Sequence, residues 1–207
     1  MKSGAATSGL VLAGGQASRM RAPGAEPVDK GLLELGGMPL VEHACRYLRP
    51  RVEAVWISAN RHASDYARYG AVLADGPEFG AQPGPLAGVA GALERIDTPW
   101  LLVLPVDVPL LPPDLASGLA QAVADAPAAR LAHASCGGPQ PLCMLLHRDL
   151  LDSLRGFLRG GGRKVQQWQA RQGSVVVDFP EREGLFLNIN TPEDLCRAER
   201  LLVNRCA

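Results

Sequence analysis

Lysine is almost absent from this chain. Of 21 basic residues only Lys2, Lys30 and Lys164 are lysines, and the remainder are arginines. Net charge is absent too, because 21 acidic residues balance the 21 basic ones over 207 positions. A nucleic acid or an anionic membrane surface calls for a basic face, so this balance argues against both partners. No apolar run approaches the roughly 18 residues of a spanning helix. The opening Met1-Lys2-Ser3-Gly4 lacks the apolar core of a signal peptide, and the expected location is cytoplasmic. The five cysteines (Cys45, Cys136, Cys143, Cys196, Cys206) form neither a Cys-x-x-Cys pair nor a zinc spacing. They read as free thiols behaving as small apolar residues in a reducing compartment. The four histidines, His43, His62, His133 and His147, show no ligand pairing.

What is present is ordinary for a globular protein: 47% hydrophobic residues and 20% charged. The length suits a single domain over residues 1–207, with a core large enough to sustain it. Strand-like and helix-like segments alternate, which predicts an α/β fold with a mostly parallel sheet. Strands are expected at 9–13, 54–58, 71–74, 100–105, 131–135, 141–146 and 174–178, with a strand-like stretch at 185–188. Helices are expected from Pro39 to Leu48, Ala63 to Tyr69, Leu86 to Leu93, Pro113 to Asp125, Asp149 to Leu158 and Lys164 to Arg171. A last helix starts at Thr191 as N-cap with Pro192 in its first position.

In open α/β sheets ligands bind beyond the carboxyl ends of the strands. The first such end carries Leu12-Ala13-Gly14-Gly15, whose adjacent glycines let backbone N–H groups face an anion. Arg19 and Lys30 supply the positive charge a polyphosphate needs, and a compact ammonium suits phosphate. The loop is neither a dinucleotide-binding GxGxxG nor a Walker GxxxxGK[ST]. A bare glycine turn would look the same if the two cations were not near it. Asp107 follows the most apolar run, Trp100 to Pro105, where a carboxylate can hold Mg2+ shared with substrate phosphates; a turn or capping aspartate is the alternative. Asn60 and Asp75 end two further strands and can pair with a base or ribose edge, or merely cap the next segment.

These residues also carry a family resemblance. Leu12-Ala-Gly-Gly with Arg19-Met20, Asp29-Lys30-Gly31, Gly84-Pro85-Leu86-Ala87-Gly88, Asp107-Val-Pro109 and Asn188-Ile-Asn190-Thr-Pro-Glu-Asp-Leu195 together resemble the molybdenum cofactor guanylyltransferases. The likeness runs from the first strand to the last helix. It implies a Rossmann-like nucleotidyltransferase fold, with helices on both faces of the sheet. It also implies GMP transfer from Mg2+-GTP to the terminal phosphate of molybdenum-bound molybdopterin, with pyrophosphate released. Implied nucleotide contacts are Leu12, Ala13, Gly14, Lys30, Asn60, Asp75 and Asp107, with Asp107 as the metal ligand. Arg19 and Lys30 would stabilise the departing pyrophosphate. The N-terminal part would bind nucleotide, and the C-terminal third the pterin, through Asn188 and Asn190, Arg163 with Lys164, and Gln140-Pro141. For these last residues strand-end caps and solvated charges are the alternatives. Recipient molybdoenzymes, or their chaperones, are the implied downstream partners.

The chain departs from the family pattern between Met20 and Asp29, where eight residues, Arg21 to Val28, replace the usual few. Two other functions fit parts of the pattern. A cytidylyltransferase acting on the same cofactor would share the glycine loop and the aspartate. A non-catalytic carrier would bind cofactor without releasing pyrophosphate and would tolerate Asp107→Ala.

Overall fold

The computed structural model describes residues 6–15, 29–74, 76, 79, 84–181 and 184–206. Its strands are β1 (Thr7–Leu12), β2 (Glu34–Leu35), β3 (Met38–Pro39), β4 (Val55–Ser58), β5 (Ala71–Leu73), β6 (Trp100–Pro105), β7 (Leu131–Ser135), β8 (Pro139–His147) and β9 (Val175–Asp178). Its α-helices are α1 (Leu40–Leu48), α2 (Ala63–Tyr66), α3 (Pro85–Leu93), α4 (Leu115–Asp125), α5 (Leu151–Arg159), α6 (Val165–Arg171) and α7 (Pro192–Cys206). None of the described helices is long and apolar enough to cross a membrane.

Seven strands form one sheet in the order β5-β4-β1-β6-β8-β7-β9. All adjacent pairs are parallel except the two made by β8, which runs antiparallel to both β6 and β7. Side chains alternate across the pleat, so a strand covered on both faces reads as an unbroken apolar run. In β6, Leu102 and Leu104 enter one core with Leu40, Leu48 and Leu119, on the α1 and α4 face. Leu101 and Val103 enter the other core with Leu86, Leu154 and Trp168, on the α3, α5 and α6 face. The two-sided burial explains why Trp100 to Pro105 is so hydrophobic. The fold is Rossmann-like, with helices on both faces of the sheet.

Several boundaries differ from the sequence expectation. Pro39 does not open α1; it pairs with Glu34 in a separate β2–β3 hairpin. Gly36 and Gly37, at φ +59° and +75°, make the tight turn that two-residue hairpins favour. Pro113 likewise stands two residues before α4 begins at Leu115. The stretch 185–188 is no strand. Gly184 and Phe186 both adopt positive φ, at +78° and +57°, which breaks any regular ladder. Isolated bonds from Phe186 N–H to Leu110 O (3.0 Å) and from Ile189 N–H to Asp107 O (2.8 Å) hold it instead.

Candidate functional site

Three strand ends lie level at one edge of the sheet. Leu12 of β1 is in register with Ser58 of β4 on one side and with Pro105 of β6 on the other. The chain leaves β1 for β4 and β5 on one side and later returns to β6 on the other, so the edge is a topological switch point. Beyond β1, Ala13 is buried and its N–H donates to Ser58 O at 2.9 Å. Gly14 and Gly15 are exposed, and a Cβ on either would meet nothing within 4 Å. Packing therefore does not explain these two glycines, whereas an anion drawn up to the backbone would.

The Gly84 to Gly88 segment has a clear structural cause. Gly84 has φ +72° and ψ −179°, a conformation essentially restricted to glycine, and Pro85 then opens α3. A Cβ at Gly88 would stand 2.9 Å from Ser58 Cβ and 3.2 Å from Leu12 Cδ2. Glycine there lets α3 lie directly behind the ends of β1 and β4.

Lys30 is where the distant motifs meet. It heads a short 3-10 turn, Lys30–Leu32, and its N–H donates to Gly15 O at 3.2 Å. The buried ammonium donates to Asp107 Oδ2 at 3.0 Å and to Asn190 Oδ1 at 2.8 Å. Its neighbour Asp29 caps the turn, accepting from Gly31 N–H at 3.3 Å. Asp29 also accepts from the Tyr66 hydroxyl on Oδ1 and from Arg61 Nη2 at 3.4 Å on Oδ2. Burial, then the Asp29 carboxylate, holds the Tyr66 phenol far above the usual tyrosine range.

Asp107 follows β6 after Val106, whose N–H donates to Leu12 O at 3.1 Å. The bond from Ile189 N–H to Asp107 O brings in the C-terminal segment, in which Ile189 is buried and Asn188 and Asn190 are exposed. Asn190 is fixed by a capping box. Asp194 Oδ2 accepts from the N–H groups of Asn190 and Thr191, both at 2.9 Å, and Asp194 N–H donates to Thr191 Oγ1 at 3.2 Å. The Asn190 N–H first, with Thr191, holds the Asp194 carboxyl below the usual aspartate range. Asp107 and Asn188 line a cavity of about 260 Å³ with Val108, Gln140, Pro141 and Cys143. Burial drives the Cys143 thiol well above its ordinary range, which keeps it protonated and inert.

The structure thus brings together Leu12 to Gly15, Lys30, Asp107 and Asn190, with Asn188 beside Asp107. Asn60 stands exposed two residues past β4. Arg19, Asp75 and the segment Arg21 to Val28 lie outside the described residues. Arg163 is not a solvated charge: its guanidinium donates to the carbonyls of Leu158, Gly162 and Phe79 at 2.7–2.9 Å. It ties the α5–α6 turn to the connection ahead of α3. With Gly161, Gly162 and Lys164 it borders a more open cavity of about 630 Å³. Sequence reasoning did not single out Tyr66 or Arg61. The one available signal was Gly31, a glycine beside the lone site lysine, which hints at a close approach.

Among the described residues no group of three or more His, Cys, Asp or Glu side chains could hold a metal. Asp107 alone, with a side chain 24% exposed, suits a Mg2+ that keeps waters and shares substrate phosphates.

Residues 9–175 match the MobA-like NTP transferase domain. The chain is 42% identical to a molybdenum cofactor guanylyltransferase of Shewanella amazonensis, over 93% of this chain and 95% of the relative. It is 38% identical to one of Photobacterium profundum, over 94% and 96%. Among solved structures, molybdopterin-guanine dinucleotide biosynthesis protein A from Archaeoglobus fulgidus superposes with a TM-score of 0.73. That comparison covers 95% of this chain and 99% of the other at 24% identity. CMP:2-keto-3-deoxy-manno-octonic acid synthetase complexed with CTP gives a TM-score of 0.72 at 15% identity, covering 97% and 99%. At these identities both superpositions speak to the fold.

Proposed function

The chain belongs to the MobA-like NTP transferase family, alongside its molybdenum cofactor guanylyltransferases, and from that membership we propose that it transfers GMP from GTP to the molybdenum-molybdopterin cofactor. An oxygen of the terminal molybdopterin phosphate attacks the α-phosphorus of GTP. The bond from that phosphorus to the bridging oxygen breaks, and pyrophosphate leaves. The acceptor is already an anion, so no strong general base is needed. Positioning and charge neutralisation supply the rate.

The observation that carries this reading is the bridge made by Lys30. Its backbone N–H holds the loop after β1 through Gly15 O, while its ammonium reaches Asp107 and Asn190. In this reading the backbone of Leu12, Ala13, Gly14 and Gly15 cradles the triphosphate, and Lys30 with Arg19 neutralises the pyrophosphate as it departs. Asn60 and Asp75 meet the base and ribose. Asp107 would hold Mg2+, which when bound polarises the α-phosphate. Asn188 and Asn190, on either side of the buried Ile189, face the acceptor, so the C-terminal third receives the pterin. The cavity bounded by Asp107, Asn188 and Gln140 is the acceptor's place. A cytoplasmic enzyme that hands its product to recipient molybdoenzymes or their chaperones completes the proposal. Its test is pyrophosphate release with the molybdenum cofactor and GTP, repeated with Lys30→Ala. A large loss of rate with the fold intact is expected; a near-normal rate would remove Lys30 from the site.

A further inference from the structure

The Asp29 carboxylate is a buried charge with a side chain only 2% exposed, and such a group needs good donors. Its contacts with Gly31 N–H and Arg61 Nη2 are long, at 3.3 and 3.4 Å. The Tyr66 hydroxyl is the close one, and Tyr66 is itself fully buried. With the phenol held protonated by burial, it remains a donor through the whole neutral range.

The phenol also lies against the turn that Asp29 caps. A Cβ on Gly31 would overlap the Tyr66 hydroxyl and stand 3.0 Å from Tyr66 Cε1. Gly31 is thus glycine because the ring needs that space. Tyr66 lies in α2, six residues beyond Asn60, so it joins the Asn60-bearing segment to the turn that carries Lys30. We propose that Tyr66 is a positioning residue for Lys30: through Asp29 it fixes the Lys30–Leu32 turn so that the ammonium faces Asp107 and Asn190. The inference rests on the reading of Lys30 as a phosphate-binding cation.

A double-mutant cycle tests it, measuring kcat and KM for GTP by pyrophosphate release, with thermal melting alongside. Tyr66→Phe keeps the ring and removes the hydroxyl. It is expected to lower kcat/KM about tenfold with the fold retained, since a charge-assisted hydrogen bond is lost. Lys30→Ala is expected to lose more. Adding Tyr66→Phe to Lys30→Ala should then cost nothing further, because the residue being positioned is gone. A second pair guards against a purely structural effect. Gly31→Ala should lose activity by displacing the phenol, and Gly31→Ala with Tyr66→Phe should return to the level of Tyr66→Phe alone.

Losses that multiply in the Lys30→Ala/Tyr66→Phe variant would overturn the positioning role. So would an unchanged rate in Tyr66→Phe beside a large loss in Lys30→Ala, and this outcome leaves the reading of Lys30 standing. A near-normal rate in Lys30→Ala removes that reading and this inference with it.

Discussion

The Lys30 ammonium donates to Asn190 Oδ1 at 2.8 Å, joining side chains 160 positions apart in the chain. Neither residue is placed by its own element alone. Lys30 stands in a short turn bonded to Gly15 and braced by Asp29, and Asn190 stands at the mouth of α7, where Asp194 holds its backbone. Their meeting, with Asp107 between β6 and the C-terminal segment, makes the loop after β1 one wall of a larger site.

Lys30→Ala removes two hydrogen bonds and leaves Asp107 without its cation. A loss of roughly 100-fold in kcat is expected, the scale found when one preorganised donor to a developing charge is deleted. Lys30→Arg should recover little, because a planar guanidinium does not fit a buried niche shaped around an ammonium. Steady-state pyrophosphate release checks both variants.

Asp107→Asn keeps the shape of the side chain and removes its charge. Lys30 retains Asn190, so thermal stability should change little, whereas the Mg2+ concentration for half-maximal rate should rise by about tenfold or more. Titrating Mg2+ into chelator-treated protein reads this out. An unchanged Mg2+ dependence would move the metal away from Asp107.

Two helical glycines, one in α3 and one in α5, should answer differently to alanine. At Gly88 the new methyl would press on Ser58 and Leu12, costing about 1–3 kcal/mol as overpacking. At Gly156, inside α5, a Cβ meets nothing within 4 Å, and alanine should stabilise by about 0.5–1 kcal/mol through helix propensity. Denaturant melts of the two variants measure both signs.

Asp194 gives a pH prediction. Its folded pKa lies below the ordinary aspartate value of about 3.9, chiefly because the Asn190 N–H donates to it. The stabilisation it gives is complete above about pH 4 and is lost as pH falls through the lower, folded value. Asp194→Ala should therefore melt below the parent at pH 7, with the gap closing on acidification below about pH 4. A gap that stays constant with pH would rule out this linkage.

The fold was readable where burial on both faces writes continuous apolar runs, as in Trp100 to Pro105, whose limits the structure reproduces. It was less readable at Pro39 and Pro113, because proline suits a hairpin edge or a pre-helix turn as well as a first helical position. The stretch 185–188 looked like a strand because Leu185 and Leu187 pack on the core while Phe186 is buried; its left-handed backbone leaves no trace in composition. At the site, Lys30 was visible as a rare lysine and Asp107 as a carboxylate after the central strand. Their pairing with each other and with Asn190 was not, since it depends on the Asp107–Ile189 backbone bond made at long range. Tyr66 was hidden for the same reason, as a core aromatic whose hydroxyl matters only once Asp29 folds over it.

Guanylyl transfer is measured by comparing GTP with CTP as donors to the molybdenum cofactor while pyrophosphate is followed. GTP should give the higher kcat/KM, with one pyrophosphate released per cofactor converted. Faster turnover with CTP would contradict the guanylyl assignment, and cofactor binding without pyrophosphate from either nucleotide would make the protein a carrier.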